Sequence, residues 1–345
     1  MKWEIAKIGE LSDIIDGDRG KNYPKQNEFH DKGYCLFLNT GNVTRQGFDF
    51  NNNMFITEEK DNIMRKGKLK RGDIVFTSRG TIGNVAYYND NIPFDNVRIN
   101  SGMVILRTKQ EKVEQRYLYQ LLKSNYQRER MQSYITGSAQ PQLPIKNFSQ
   151  IELPLPPLQI QCRIADVLSA YDDLIENNQK QIKLLEEAAM RLYKEWFVHL
   201  RFPGHETTKI VDGVPQGWEI ATVKDMGKVI TGKTPSTAKT DNYGNDIPFV
   251  KIPDMHGVVY PLKTEIKLSK KGADTQKNKY LPPKSIMVSC IATVGLVCIA
   301  FDRCQTNQQI NSIVLNDEDN LYYLFFVMKE IKSLLEGVGS NGATM

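Results

Sequence analysis

Apolar residues follow two rhythms along this chain. Over most of it they form short runs, such as "DIVFTS", "GMVIL" and "SIMVSC", separated by Gly, Asn, Asp and Pro. That punctuation predicts β-strands joined by turns. Two stretches break the pattern with helix-like spacing: "VEQRYLYQLLKSNYQRERMQ" from Val113 and "NLYYLFFVMKEIKSLLEG" from Asn320. A third stretch, from Leu158 to about Leu200, contains neither Pro nor Gly and predicts one long helix. At ~1.5 Å per residue it would be roughly 60 Å long.

The long helix also carries a heptad. Ile164, Tyr171, Asn178, Leu185 and Leu192 occupy the a positions, and Leu168, Ile175, Ile182, Ala189 and Trp196 the d positions. A seam of this kind is expected to meet another helix, with the polar Asn178 fixing register and partner. The bland alternative is an amphipathic helix lying on its own domain. The longest uncharged run, Ser285 to Phe301, is near membrane-span length. It is rich in Ser, Cys, Thr and Val around Gly295, so two buried strands about a turn are expected, and no membrane span.

The strand-rich sequence occurs twice. "WEIA" at Trp3–Ala6 returns at Trp218–Ala221, 215 positions on. "DIVFTSRGTIGNVA" from Asp73 resembles "SIMVSCIATVGLVC" from Ser285, setting Gly83 on Gly295. "INSGMVIL" resembles "INSIVL", which equates Asn100-Ser101 with Asn311-Ser312. "TGSAQPQ" (Thr136–Gln142) is echoed by "VGSNGAT" (Val338–Thr344). The expected fold is α+β: two tandem, repeated, mixed β-rich domains joined by one long coiled-coil-type helix. The boundaries are 1–155, 156–203 for the helix, 204–217 for a linker, and 218–345.

Composition narrows the chemistry only slightly. In 345 residues, 40% are hydrophobic and 25% charged, as in an ordinary globular protein. The net charge of +5 permits a nucleic-acid partner without requiring one. The five cysteines form no C-x-x-C pair, so a metal site is not expected. Their odd number fits a reducing, cytoplasmic setting.

Two motifs imitate enzymes. "GKVITGKT" (Gly227–Thr234) has P-loop spacing, which would cradle nucleotide phosphates on backbone N–H groups. It needs a helix opening at the lysine, but "PSTAKTDNYGNDIP" follows, full of turn residues. In the repeat Gly232 falls on Gly17, while Lys233 falls on Asp18, so the glycine turn is shared and the lysine is not. Pro253-Asp254 with Glu265-x-Lys267 resembles a metal-dependent nuclease pattern, loosely spaced and absent from the first copy. No nucleophile–base arrangement emerges from the histidines, and no catalytic activity is expected.

The stretch "TGSAQPQLPIKNFSQIELPLPPLQIQCRIADVLSAYDDLIENNQKQIKLLEEAAMRLYKEWF" and the junction "VPQGWEIATVKDMGKVITGKTP" carry a resemblance covering essentially the whole chain. It resembles the specificity subunit of type I restriction–modification systems. The resemblance implies that each copy reads one half of a bipartite site in double-stranded DNA. It also implies that the helix sets the spacing and docks methyltransferase subunits, which bring S-adenosylmethionine, and that a restriction subunit using ATP and Mg can join. No cofactor would bind this chain directly. The family normally has a second helical region after the second domain, and here the sequence stops before it. Either the chain is truncated, or a second specificity chain or fragment supplies that helix.

Reading DNA needs cations for phosphates and amides or guanidiniums for base edges. The first copy offers Lys68, Lys70, Arg71, Arg79 and Arg98, with Ser138, Gln140 and Gln142 in "TGSAQPQ". The second offers Lys233, Lys277, Lys279, Gln308 and Asn311. For any single lysine the competing reading is a solvated surface charge.

Overall fold

A computed structural model describes residues 3–339. The chain divides into two compact units, 1–180 and 181–345, and the division falls within the long helix. Each unit repeats one plan.

In the first unit a four-stranded antiparallel sheet runs in the order Ser12–Asp16, Met103–Thr108, Ile74–Thr77, Val85–Tyr87. Beside it is a three-stranded mixed sheet of Phe55–Ile56, Cys35–Leu38 and Val97–Ile99, the last two parallel. The second unit has the same two sheets. Its four strands are Gly227–Thr231, Ile310–Leu315, Ile286–Ser289 and Val297–Ile299, and its three are Ile266–Leu268, Tyr243–Val250 and Gln305–Thr306. The run from Ser285 to Phe301 is thus two buried strands about a turn, and among the described residues no helix is long and apolar enough to cross a membrane.

Why the central strands are continuous apolar runs follows from the layering, because both faces of the four-stranded sheet are covered. In "IVFT", Ile74 and Phe76 face the helical layer with Leu118 and Phe148, whereas Val75 faces the other way with Leu38 and Ile99. In the second unit Ile286 and Val288 meet Leu324 and Phe325, and Met287 faces Ile310 and Cys304. The helical layer is Gln115–Lys123 with Asn125–Met131 in one unit, and Leu321–Glu330 with Lys332–Gly339 in the other. The copies differ at "WEIA": Glu4–Lys7 pairs with Glu152–Leu155, whereas Trp218–Ala221 forms no strand.

The long helix spans Leu158–Tyr193 and passes into a π-helical turn at Lys194–Val198. In the first unit its start is fixed by the buried Gln161, whose Oε1 accepts from Glu114 N at 2.9 Å and whose Nε2 donates to Pro156 O at 2.8 Å. Asp172 accepts from Gln120 and Lys123 at 2.6 and 3.0 Å. In the second unit Tyr193 stacks on Phe326, and Lys194 pairs with Glu330 at 3.3 Å.

The shared glycines carry the tightest contacts. A Cβ on Gly17 would lie 2.2 Å from Asn100 O, and one on Gly232 would lie 2.0 Å from Asn307 O. Backbone cannot yield cheaply there, so Gly17→Ala and Gly232→Ala should each destabilise their own unit by about 3 kcal/mol or more. Denaturant unfolding followed by probes placed in each unit checks this.

Candidate nucleic-acid interface

At one end of each unit the sheet hands the chain to a cluster of loops. In the first unit the chain leaves the small sheet at Ile99 and enters the large one at Met103. Asn100 makes the crossing: its N–H donates to Leu38 O at 3.0 Å, and its side-chain Oδ1 accepts from Gly102 N at 2.9 Å. In the second unit Asn307 does the same, donating to Val250 O at 3.3 Å and accepting from Gln309 N at 3.2 Å. These paired contacts correct the equivalence expected from "INS". The partner of Asn100-Ser101 is Asn307-Gln308, not Asn311-Ser312. Asn311 lies within a strand opposite Thr231, as Val104 lies opposite Asp16. Its Nδ2 donates to Cys290 Sγ at 3.3 Å. The identical letters misled because strand pairing, not local identity, sets the register.

The loop carrying Arg79 also has one design in both units. Thr77 Oγ donates to Thr81 O and accepts from Asn84 N, and Ser289 Oγ likewise donates to Thr293 O and accepts from Leu296 N. Gly80 and Ala292 share a positive φ, +68° and +67°, as do Gly83 and Gly295, +90° and +82°. "TGSAQPQ" docks on this loop: Leu143 N donates to Ser78 O at 2.9 Å, and Gln142 bridges to both Arg79 and Thr136. The structure therefore brings Arg79, Ser138, Gln140 and Gln142 into one cluster, with Arg79, Ser138 and Gln140 exposed. The echo at Val338–Thr344 lies, beyond its first two residues, outside the described residues.

In the second unit Lys233 and Gln308 come together, joined by Thr234, whose Oγ1 donates to Gln308 Oε1 at 2.6 Å. Lys233 is exposed, and Lys277 is exposed next to Gln276, which donates to Lys233 O at 2.7 Å. Lys279 is half-buried two residues further on. Sequence reasoning missed the matching contact in the first unit, where Arg19 donates to Ser101 O at 3.2 Å. It also missed Arg65, whose N–H donates at 2.9 Å to the buried Asp18. The signal for Arg19 was available, since Thr234 falls on it in the repeat.

Several expected contacts lie elsewhere or are already engaged. Lys70 is exposed, but at the opposite end of the Ile74–Thr77 strand from Arg79. Arg71, beside it, stacks on Tyr88 at 4.3 Å and pairs with Asp95 at 2.8 Å, clasping the loop that includes Ile92 and Phe94. Lys68 pairs with Asp61. Arg98 is a correction: it is only 5% exposed, pairs with the buried Asp61, and donates to the carbonyls of Asp61, Met64 and Lys66. The second unit solves the same packing problem without charge. Gln305 stands at the Arg98 position, donates to Ala273 O at 2.9 Å, and accepts from Gln276 Nε2 at 2.8 Å.

The enzyme-like motifs do not assemble. After the strand Gly227–Thr231 no helix opens at Lys233. The N–H groups of Gly232 and Lys233 are already bonded to Ile310 O and Thr306 O, at 3.0 and 2.9 Å, so they cannot cradle a nucleotide. Asp254 accepts from the backbone N–H groups of Lys251 and Glu265, at 2.8 and 2.9 Å, while Glu265 pairs with Lys251. Among the described residues no group of acidic, His or Cys side chains is arranged to hold a metal. Burial pushes the thiols of Cys35, Cys298 and Cys304 up to about 12, which makes them poor nucleophiles.

The helix seam is largely open. Ile164 packs on the first core and Ala189 and Trp196 are half-buried, but Leu168, Tyr171, Ile175, Asn178, Ile182, Leu185 and Leu192 are exposed, with Leu185 at 69%. Within the second unit an apolar cleft of about 500 Å³ adjoins its end, between Leu185, Leu192, Trp196, Tyr322 and Phe326.

Two copies of one scaffold, each ending in loops of different polar character, match one known family. The model of the type I restriction modification DNA specificity domain fits residues 1–187 and again residues 215–345. The chain belongs to that family. It is 31% identical to the type I restriction enzyme HindI specificity subunit of Haemophilus influenzae, over 94% of this chain and 84% of that one. It is 27% identical to the MjaIX specificity subunit of Methanocaldococcus jannaschii, over 97% and 78%. The crystal structure of a type I restriction–modification system S subunit from M. genitalium shares the fold, with a TM-score of 0.58 at 13% identity, over 100% of this chain and 81% of that one.

The Asp61–Arg98 pair distinguishes the two specificity domains and is testable. Burial pushes Asp61 up, but hydrogen bonds and charge from Lys68 and Arg98 outweigh it and hold the carboxyl below its ordinary value of 3.8. A depressed carboxylate stabilises the fold above its unfolded pKa, and that stabilisation is lost as pH falls through the folded value. The first unit should therefore lose stability below about pH 4. Arg98→Ala, which leaves the buried Asp61 with Lys68 as its one remaining cation, should cost about 3 kcal/mol. Unfolding of the first unit at neutral and acid pH checks both.

Proposed function

We propose that this chain is the DNA-recognition subunit of a type I restriction–modification complex, with each unit reading one half of a bipartite site. One observation carries the reading. The two loop clusters share their backbone framework but differ in side chains at equivalent positions: Asp18 against Lys233, Arg19 against Thr234, Ser101 against Gln308, and Arg79 against Ile291. A common scaffold with exchanged polar tips is what two different half-sites require. Base edges are told apart by donor and acceptor patterns, while the scaffold needs only to hold the tips in register.

In this reading the chain supplies no chemistry of its own. Methyl transfer belongs to methyltransferase subunits, which carry S-adenosylmethionine, and cleavage to a restriction subunit that uses ATP and Mg. The long helix joins the two readers along the chain. Its open seam suits a helix from another chain, because apolar a and d positions pair only when a partner helix covers them. A second specificity chain or fragment is the proposed occupant.

Mapping methylated bases in cells that co-express the chain with its methyltransferase tests the proposal. A bipartite motif is expected. Arg79→Ala should relax only the half read by the first unit, and Gln308→Ala only the other, each costing about 1–3 kcal/mol at its position. Methylation without a bipartite motif, or both substitutions acting on the same half, would contradict it.

A further inference from the structure

Several arginines of the first unit are held by carboxylates. Arg19, Arg71, Arg98, Arg107 and Arg116 each have a carboxylate partner. Arg45 and Arg128, like Arg65, Arg79, Arg130 and Arg163, have no carboxylate within ion-pair distance among the described residues, and neither the Arg45 nor the Arg128 guanidinium has a hydrogen-bond partner there. The segments that carry these two both pack against the Gly83–Asn84 loop. Arg45 sits at the tip of a hairpin formed by Val43–Thr44 and Gly47–Phe48, exposed to solvent. That hairpin is tied to the Arg79 loop, because Asn84 Nδ2 donates to Val43 O at 2.9 Å. Next to Asn84 is Gly83, and Arg128 Nη1 lies 3.9 Å from where a Cβ on Gly83 would be. Arg128 is half-buried in the helix Asn125–Met131.

We propose that Arg45 and Arg128 form a two-guanidinium clamp for one backbone phosphate of double-stranded DNA, built against the Gly83 turn. This rests on the DNA-reading function above and adds to it a contact that positions without reading sequence. The free protein has a reason to avoid such a pair. Burial and the nearby Arg45 charge both push Arg128 below its ordinary value. Two like charges with no counter-ion are destabilising until an anion arrives, and a phosphate accepts guanidinium N–H groups in bidentate fashion. The location fits, since the clamp borders the loop that presents Arg79 and docks "TGSAQPQ". The second unit places a basic stem at the equivalent glycine: Lys332 Cγ lies 2.4 Å from the Cβ position of Gly295. It has a short helix, Ile252–Met255, in place of the arginine-tipped hairpin, so the full clamp belongs to the first unit.

Affinity of the full chain for double-stranded DNA, measured across a series of salt concentrations, tests the clamp. Arg45→Gln and Arg128→Gln keep the side-chain length and remove the charge. Each should lower the slope of log affinity against log salt by about 0.9, and weaken matched and mismatched sequences by the same factor. Arg128→Lys should keep the slope. Without DNA, neither Gln variant should lower the melting temperature, because repulsion has been relieved. Wild-type binding with unchanged slopes in both Gln variants would overturn the clamp alone. A lowered melting temperature in both without DNA would also overturn it, making the pair structural. Inorganic phosphate that raises the melting temperature of wild type but not Arg128→Gln, with the DNA slope unchanged, would make this a small-anion site and overturn it too. If wild type binds no DNA, the proposed function fails and the clamp with it.

Discussion

Both units depend on one backbone contact. A glycine ends the first strand of the large sheet and presses against the carbonyl of the asparagine where the chain crosses between sheets, Gly17 on Asn100 and Gly232 on Asn307. No side chain fits between them. The contact fixes the end of that strand against the crossing, and the asparagine side chain then shapes the turn that follows. Three loops leave the scaffold at this one end as a consequence: the loop after the first strand, the crossing itself, and the turn at Arg79 or Ile291. Variation is tolerated at their tips because the geometry is set beneath them.

The scaffold is preserved by different chemistry in the two copies. Arg98 with Asp61, and Gln305 with Gln276, hold the same helix–turn to the same parallel strand. A buried ion pair and a buried amide pair serve equally, provided every donor finds an acceptor. The charged version ties the first unit to a carboxylate that must stay ionised, whereas the amide version does not titrate. Arg98 and Arg107 are held by buried carboxylates, whereas Arg79, without one, is exposed in the loop cluster.

Much of this was legible in the sequence. The repeat identified two units, the Pro- and Gly-free run identified the long helix, and Lys233 on Asp18, with turn residues after Thr234, removed the nucleotide reading of "GKVITGKT". What was not legible is which polar residues face outward. Arg98 and Arg79 both looked available, yet one lies within the strand Val97–Ile99, buried against Asp61, and the other is exposed in a turn. The Asn-Ser identity suggested a false register, because an insertion in one copy is invisible until strands are paired. Arg45 and Arg128 are more than eighty positions apart and carry no motif, so only the fold brings them together.

The central account is that DNA meets the loop end of each unit, not the opposite end where Lys70 and Arg71 lie. Hydrogen–deuterium exchange on the chain in complex with its methyltransferase, with and without cognate DNA, measures this directly. The account predicts DNA-dependent protection concentrated in segments 17–20, 78–84, 100–102 and 136–142, and in 232–236, 290–296 and 306–309. Protection around Lys70–Asp73 and Asn89–Asp95, with those loops unchanged, would contradict it.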